Sequence, residues 1–177
     1  MNHINIVEYT AAHQSYFERL NRQWIEQFFS MEPLDTFVLT NPEEAILKPG
    51  GAILMAEYDS EVAGTVALRK LDPVTYEFTK MAVDEKFRRR GIAEKLTYAS
   101  FRKAKELGAK TVILYSNTKN AAAIRLYEKI GFRHLQVDKD VYARADVKMT
   151  IELSEVSWPV ATYKSTEQKK TKDFIFN

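Results

Sequence analysis

The sequence contains no cysteine and only three histidines. Without cysteine the chain cannot form a disulfide framework, a thiolate metal site or a cysteine nucleophile. The histidines, His3, His13 and His134, are far apart in the chain and do not have the spacing of zinc ligands. We therefore expect a protein that uses no metal.

Long apolar runs are also missing, and the charges nearly balance. No apolar run approaches the roughly 20 residues that a membrane-spanning helix needs, and the N-terminus lacks the basic and then apolar layout of a signal peptide. The net charge is only +2, so no global field favours nucleic acid or a membrane surface. We expect a cytoplasmic protein without nucleic-acid or membrane partners.

Enough apolar material is present for one domain. The 177 residues are 45% hydrophobic, and a chain of this length buries roughly 70% of the surface that it exposes when unfolded. Hydrophobic periodicity and turn residues predict strands at 3–9, 52–58, 61–71, 74–83, 111–115, 132–139 and 141–153, and helices at 11–29, 34–39, 91–107 and 120–130, with a further helical turn after Asn41. This order predicts a mixed α/β (α+β) sheet with helices against it. We expect a domain over 1–153 and a C-terminal tail over 154–177, either docked or disordered.

A cluster of basic residues lies between the strand 74–83 and the helix 91–107. It reads Arg88-Arg89-Arg90-Gly91-Ile92-Ala93. The first N–H groups of a helix have no intrahelical partner and carry partial positive charge, so they bind phosphate well. Gly91 lacks the Cβ that would obstruct a ligand near the backbone. A solvated basic loop is the alternative, and neither the Walker phosphate loop nor the dinucleotide fingerprint is present.

Two motifs carry a family resemblance. The turn from Arg88 to Ala93 matches the [Q/R]-x-x-G-x-[G/A] motif of the GNAT superfamily of acetyl-coenzyme A-dependent N-acetyltransferases. Residues 120–132 are similar to the second signature of that family, N-x-x-A-x-x-L-Y-x-x-x-G-F. The resemblance covers about residues 3–153. The arrangement of Leu20-Asn21, Trp24-Ile25, Gly50-Gly51 and Tyr142-x-Arg144 resembles the bacterial branch, including acetyltransferase domains fused to MarR-type regulators.

The resemblance implies a fold and a co-substrate. It implies a single-domain GNAT fold with a mixed, mostly antiparallel sheet of six to seven strands, a central splay made by a β-bulge, and about four flanking helices. Acetyl-coenzyme A would be the co-substrate. Its thioester arm would lie beside Met81, Ala82 and Val83, and the N–H groups around Ala82 and Val83 would polarise the carbonyl. Its pyrophosphate would bind the backbone of residues 88–93, and its arm would contact Asn120, Ala123 and Tyr127.

Two residues are candidates for catalysis. In the family the tyrosine of the second signature, here Tyr127, gives a proton to the departing thiolate, whereas the alternative is a core aromatic side chain. Glu77 matches by position the glutamate that acts as base in the histone-acetylating branch. Strand alternation predicts that it shares a face with Met81. The alternative for Glu77 is a cross-strand salt bridge.

Fewer residues of the sequence indicate where the acceptor binds. The first helices of this fold usually cover the acceptor, and here they offer Trp24, Phe28, Phe29, Glu32 and Asp35. The acids could meet a cationic amine, or they could be solvated while the aromatic side chains face the core. Arg144 could clamp a substrate carboxylate, or it could pair with Asp146 or Glu152.

The predicted reaction is direct transfer of an acetyl group to a primary amine. We expect a small-molecule or amino-acid-like acceptor. The alternatives are a protein acetyltransferase acting on lysines or an N-terminus, and a module that senses acyl-coenzyme A without turnover. A homodimer is compatible with the resemblance.

Overall fold

The computed structural model describes residues 3–138 and 142–160. Its strands are β1 Ile4–Glu8, β2 Ala52–Tyr58, β3 Glu61–Lys70, β4 Thr75–Val83, β5 Thr111–Ser116, β6 Arg133–Leu135 and β7 Val147–Glu152. Its α-helices are α1 Gln14–Phe28, α2 Pro33–Thr40, α3 Ile92–Glu106 and α4 Ala121–Ile130, with a π-helical turn at Glu43–Leu47 and short 3-10 turns elsewhere. None of the helices in these two ranges is long and apolar enough to cross a membrane.

The seven strands form one sheet in the order β1-β2-β3-β4-β5-β7-β6. Of the paired strands, β4 and β5 run parallel and every other described pair is antiparallel. The parallel pair is possible because α3 carries the chain back across the sheet between β4 and β5. The predicted mixed, mostly antiparallel sheet is therefore confirmed.

Two apolar cores fix the sheet between layers of helices. On one face, Phe17 and Ile25 of α1 and Leu39 of α2 pack against Met55 of β2. The opposite face packs against α3 and α4, and its buried side chains include Leu54, Leu96, Phe101, Tyr127 and Ile130. Adjacent residues Leu54 and Met55 belong to different cores because successive strand side chains point to opposite faces. The central strands are thus held from both sides.

The sheet splays where β4 passes β5. The two strands pair only from Thr75 opposite Thr111 to Phe78 opposite Leu114. On its other edge β4 carries one extra residue, since Ala67 lies opposite Thr79 but Thr65 lies opposite Ala82. Lys80 in this interval has a φ of 53°, and such a β-bulge bends its strand. The predicted bulge and splay are confirmed.

The last two strands are shorter than the sequence predicts. They cover only 133–135 and 147–152, and residues 139–141 lie outside the described part of the chain. Local side-chain bonds hold the intervening loop against the β5–α4 loop. Asp146 accepts hydrogen bonds from the backbone N and the hydroxyl of Thr118, both at 2.8 Å, and Asn117 Nδ2 donates to Arg144 O at 2.7 Å. These bonds compete with strand pairing.

The first residues of the predicted tail pack on the domain. Val156 is buried in the core, and the Trp158 ring lies 6.0 Å from that of Tyr98 on α3. The guanidinium of Arg102 lies 5.8 Å from the Trp158 ring. Residues 161–177 lie outside the described part of the chain, so the boundary at 153 stays a prediction.

Candidate active site

The splay between β4 and β5 opens a cavity of about 750 Å³, which includes space open to solvent. Residues from α1, β4, β5, α4 and the loop before β7 line it. They are Asn21, Trp24, Ile25, Phe29, the β4 residues 77–81, residues 114–117 from the last β4–β5 pair onward, Asn120, Tyr127, Tyr142, Arg144 and Ala145. The cavity therefore lies where the bulge separates the strands.

The basic turn leads from the end of β4 into α3. The side chain of Asp84 accepts from Lys86 N at 3.1 Å, and the buried side chains of Phe87 and Ile92 anchor the turn on either side. Gly91 is the N-cap of α3 with a φ of 76°. A Cβ built on Gly91 would meet no atom within 4 Å. The first N–H groups of α3 thus adjoin free space, and an anionic group such as a pyrophosphate fits there.

Two of the three arginine side chains in this turn are engaged within the protein. Arg90 lies over the Tyr58 ring at 4.7 Å and donates to its hydroxyl at 2.8 Å. Arg88 lies 3.4 Å from Glu85. Because these side chains already have partners, the backbone is the more constant part of the anion site.

The exposed edge of β4 supplies an N–H group to the splay. Asp84 N donates to Ala63 O on β3 at 2.8 Å. Since backbone groups alternate sides along a strand, the N–H of Val83 is directed to the other edge, where β5 has diverged. Ala82, opposite Thr65, turns its own N–H toward β3. Of these two predicted donors, it is therefore the N–H of Val83, and not that of Ala82, that is directed toward the splay.

The predicted relation between Glu77 and Met81 is wrong. Glu77 lies opposite Arg69, on the α1–α2 face of the sheet, whereas Met81 packs against the core on the α3–α4 face. The bulge at Lys80 adds one residue and reverses the alternation that the sequence suggests. Both side chains nevertheless border the cavity.

The Glu77 carboxylate is buried, with 1% of the residue exposed. Its Oε2 accepts from Arg69 Nε at 2.9 Å and Nη2 at 2.6 Å, and its Oε1 accepts from the Tyr142 hydroxyl at 2.8 Å. The cross-strand salt bridge that the sequence left as an alternative is thus present. Since Glu77 also lines the cavity, the salt bridge and a role in proton transfer are compatible.

Tyr142 stays protonated in this arrangement. Burial raises the pKa of its phenol, and the nearby Glu77 carboxylate raises the pKa further. The hydroxyl therefore remains a hydrogen-bond donor and orients the carboxylate.

Tyr127 is both packed and placed at the cavity. Its ring meets Phe78 at 5.5 Å and Phe132 at 5.7 Å. Burial raises the pKa of the Tyr127 phenol well above its ordinary value, so the phenol stays protonated at neutral pH. Asn120, the N-cap of α4, borders the cavity as well, whereas Ala123 packs against the adjoining core.

Asp35 has an intramolecular role that the sequence did not suggest. Only 3% of the residue is exposed, and its two carboxylate oxygens accept from Arg144 Nη1 and Nη2, both at 2.6 Å, and from Lys80 Nζ at 3.0 Å. Burial alone would raise the pKa of Asp35, but the bonds from Arg144 and the charge of Lys80 hold it well below its ordinary value.

Two expectations for these charged residues are therefore corrected. The Asp35 carboxylate, which does not line the cavity, is satisfied by Arg144 and Lys80 and is not free to meet a cationic amine. The proposed pairing of Arg144 with Asp146 or Glu152 is wrong, because those acids accept from Thr118 and Thr111. Arg144 itself does line the cavity, as a substrate contact would.

The aromatic wall of the cavity contains two of the three aromatic side chains that the sequence offers for the acceptor site. Trp24 lines the cavity, but Phe28 is 41% exposed and does not, whereas the next residue, Phe29, does. The helix α1 ends at Phe28, and Phe29 is extended, with φ −144° and ψ 176°, so helical periodicity no longer predicts its direction. Glu32 is the N-cap of α2 and lies outside the cavity lining.

Sequence reasoning did not single out three polar residues of this site. Asn21 lies on the apolar stripe of α1, where its amide is buried and donates to Phe17 O at 2.9 Å. Lys80 interrupts an apolar stretch of β4, and Arg69 lies opposite Glu77 on β3. A polar residue at a position that periodicity assigns to the core was the available signal in the first two cases.

Comparison with known proteins decides the family. The model of the Acetyltransferase (GNAT) family matches residues 8–132, which include the splay, the basic turn and the second signature. The chain belongs to the GNAT acetyltransferase family. It is 31% identical over 116 residues to the uncharacterized N-acetyltransferase YvbK of Bacillus subtilis, spanning 64% of this chain and 75% of that one. It is 36% identical over 88 residues to human N-acetylaspartate synthetase, of which it spans 29%.

Solved structures share the fold. An acetyltransferase of the GNAT family from Staphylococcus aureus Mu50 superposes with a TM-score of 0.76 at 23% identity, over 85% of this chain and 99% of that one. The acetyltransferase yncA of Salmonella typhimurium gives a TM-score of 0.70 at 22% identity, over 89% and 98%. None of these four names mentions a MarR-type regulator, so that closer resemblance stays a prediction.

Proposed function

We propose that this chain transfers the acetyl group of acetyl-coenzyme A to the primary amine of a small, amino-acid-like molecule. The observation that carries the proposal is the cavity in the splay, because Glu77 and Tyr127 both line it. The basic turn connects the end of β4, which forms one wall of this cavity, to the N-terminus of α3. The solved structure of yncA, which shares the fold, contains acetyl-coenzyme A. A structure of similar fold from Thermoplasma acidophilum contains coenzyme A.

The residues of the splay fit such a co-substrate. Bound acetyl-coenzyme A would supply a thioester carbonyl as the electrophile. The backbone of residues 88–93 would hold the pyrophosphate, and Asn120 would contact the arm. The N–H of Val83 points into the splay and would donate to the carbonyl oxygen, where a preorganised donor contributes most as negative charge develops.

Glu77 would accept a proton from the ammonium group of the acceptor, and the neutral amine would then attack the thioester carbonyl. Most amines are protonated near neutral pH, so a nearby carboxylate that removes the proton accelerates attack. Arg69 and Tyr142 hold both oxygens of Glu77 in place. This positioning keeps the carboxylate at the cavity wall without depending on the substrate.

Tyr127 would protonate the departing thiolate. The phenol enters the cavity from α4, across from the β4 wall that carries Glu77. Since burial keeps it protonated, it can donate as the thiolate leaves. Glu77 would thus remove a proton from the amine, and Tyr127 would supply a proton to the departing thiolate.

The names of the relatives are consistent with small and larger acceptors. One relative is named for N-acetylaspartate, an acetylated amino acid. Another, from Sulfurisphaera tokodaii, is named N-alpha-acetyltransferase and is 34% identical over 104 residues. We favour the small acceptor because the cavity wall carries several charged and polar side chains at close range. A cytoplasmic, metal-independent enzyme that forms a homodimer is part of the same proposal.

Release of free thiol from acetyl-coenzyme A across amines, polyamines, amino acids and lysine peptides tests the proposal. Turnover with small amines or amino acids is expected. Preference for lysine peptides or peptide N-termini would identify a protein acetyltransferase. Tight binding of acetyl-coenzyme A without turnover of any acceptor would instead show a sensing module and contradict the proposal.

A further inference from the structure

The charged groups on the cavity wall are unevenly balanced. Among the described residues that line the cavity, Glu77 is acidic and Lys80 and Arg144 are basic. Glu77 is paired with Arg69, which lies behind it. Lys80 and Arg144 share the single carboxylate of Asp35. Glu32 adds a second negative charge near Arg144, and Lys119 adds a third positive charge at the Phe29 ring that Arg144 also faces, so this end of the cavity is positive.

These two cations retain capacity to bind a ligand. Arg144 directs its two terminal nitrogens to Asp35, and Lys80 uses one bond to the same carboxylate. A guanidinium and an ammonium group carry more N–H donors than these bonds use. Their side chains are only 17% and 11% exposed, so Asp35 holds both in place before any ligand arrives.

The surroundings strengthen an interaction with an anion. The Arg144 guanidinium lies 5.9 Å from the Phe29 ring, and Lys119 Nζ lies 5.3 Å from the same ring. The aromatic side chain limits access of water to Arg144, and an ionic hydrogen bond is stronger where water is excluded. Lys119 adds a further positive charge near this end of the cavity. An acceptor with a second ammonium group would be repelled here.

The positive end lies close to the predicted amine position. Tyr142, which bonds Glu77, and Arg144 are two residues apart in the chain, so their Cα atoms are separated by at most about 7 Å. Lys80 follows Glu77 by three positions on β4. A molecule that reaches both groups is therefore small, with its amine and its anionic group only a few bonds apart.

We propose that the acceptor is an amino acid whose free carboxylate is bound by Lys80 and Arg144 while its amine faces Glu77. This inference rests on the proposed function and narrows its acceptor. Asp35 is a positioning residue in this arrangement, because it orders the two cations and offsets part of their charge without touching the acceptor.

Matched pairs of acceptors test the inference directly. Thiol release is measured with each proteinogenic amino acid and with its carboxamide, which keeps the amine and side chain but lacks the negative charge. We expect kcat/KM to be about tenfold or more higher for the best acid than for its amide, the range that a charged hydrogen bond gives. An amide used as well as its acid would overturn the inference.

Three variants separate recognition from a structural role. Arg144→Met and Lys80→Met should each lower the ratio of acid to amide kcat/KM, and Asp35→Asn should lower it as well, because Asp35 orders both cations. A purely structural role would lower activity with both acceptors and leave the ratio unchanged in all three. Arg133→Met is the matched control, since Arg133 lies on exposed β6 and pairs with Glu155 at 3.6 Å.

The outcomes distinguish this inference from the proposed function. Acetylation of amides or lysine peptides at rates equal to those of amino acids would refute the carboxylate site and leave the acetyltransferase intact. Failure of every acceptor, with acetyl-coenzyme A bound, would refute both. Thermal unfolding of each variant confirms that the altered ratios come from folded protein.

Discussion

The basic turn and the positive end of the cavity, where Lys80 and Arg144 meet Asp35, adjoin the same strand, β4, but they are built in different ways. We call this second region the acceptor end, after the role proposed for it. The turn is a candidate backbone site, because Gly91 has a positive φ and no neighbour at its Cβ position, and the first turn of α3 would supply the N–H groups. The acceptor end is a side-chain site, in which Asp35, Lys80 and Arg144 come from three distant segments. A backbone site depends on local conformation, whereas a side-chain site depends on the whole fold.

This difference predicts how each region responds to substitution. The turn should be sensitive to a change in backbone access and tolerant of the loss of one charge. The acceptor end and the candidate catalytic residues Glu77 and Tyr127 should be sensitive to single side-chain changes even when the backbone is unchanged.

The largest expected effect is that of Gly91→Val on the turn. A branched side chain at this position fills the free space beside the α3 N–H groups, so we expect coenzyme A affinity to fall about 100-fold or more, which corresponds to the loss of two charged hydrogen bonds. Isothermal titration calorimetry measures the affinity.

Gly108→Val is the matched control for that change. Gly108 also has a positive φ, 91°, and its Cβ would meet only Pro73 O at 4.0 Å. Both variants should lose similar unfolding free energy from backbone strain. If Gly91→Val folds and binds coenzyme A normally, the turn does not hold the phosphates by its backbone.

The next largest effect is expected for Tyr127→Phe, which should lower the rate of the reaction without weakening the binding of coenzyme A. Tyr127→Phe keeps the packing against Phe78 and Phe132, so we expect kcat to fall about 100-fold or more with little change in coenzyme A affinity. Tyr98→Phe, a buried tyrosine on α3 outside the cavity lining, should leave kcat unchanged. Steady-state kinetics of both variants gives the comparison, and an unaltered kcat in Tyr127→Phe would exclude the proton-donor role.

The dependence of the wild-type rate on pH provides a second test of Tyr127. Because the pKa of this phenol is raised above its ordinary value, it keeps its proton throughout the neutral and mildly alkaline range. The wild-type rate should therefore not decline from ionisation of Tyr127 below about pH 10. A decline there that disappears in Tyr127→Phe would contradict the raised pKa.

Glu77→Gln should also reduce the rate, with a different pH signature. A base must be deprotonated to act, so the wild-type kcat/KM should rise with pH along an acidic limb. Removing the carboxylate should flatten that limb and lower kcat/KM about 100-fold. Glu152→Gln, on β7 and bonded to Thr111, is the control. An acidic limb that persists in Glu77→Gln would assign the base to another group.

The smallest effect is expected for a single charge in the turn. Arg89→Gln should weaken coenzyme A binding only about twofold, because an exposed ion pair contributes on the order of 0.5 kcal/mol. The effect should shrink further at high salt. A loss as large as that of Gly91→Val would mean that the arginine side chains, and not the backbone, hold the phosphates.

The contrast between the two regions also explains how far the sequence could be interpreted. The turn at Arg88–Ala93 and the helix beginning after Asn120 depend on contiguous residues whose conformational preferences act locally. That Phe29 lines the cavity and Phe28 does not was not predictable, because it depends on where α1 ends. The face of Met81 was predicted wrongly for a related reason, since one bulge residue reverses strand alternation.

The amino-acid sequence by itself determined the family, the order of elements, the candidate anion-binding turn and two candidate catalytic residues. Each of these follows from a short segment with its own backbone preferences or a recognisable motif. The tertiary structure alone decided that Asp35 pairs with Arg144 across 109 residues and that Tyr142 reaches Glu77 across 65. Such pairs depend on the sheet register, the bulge and the course of a loop, because charged side chains pair with whichever partner the fold brings within reach.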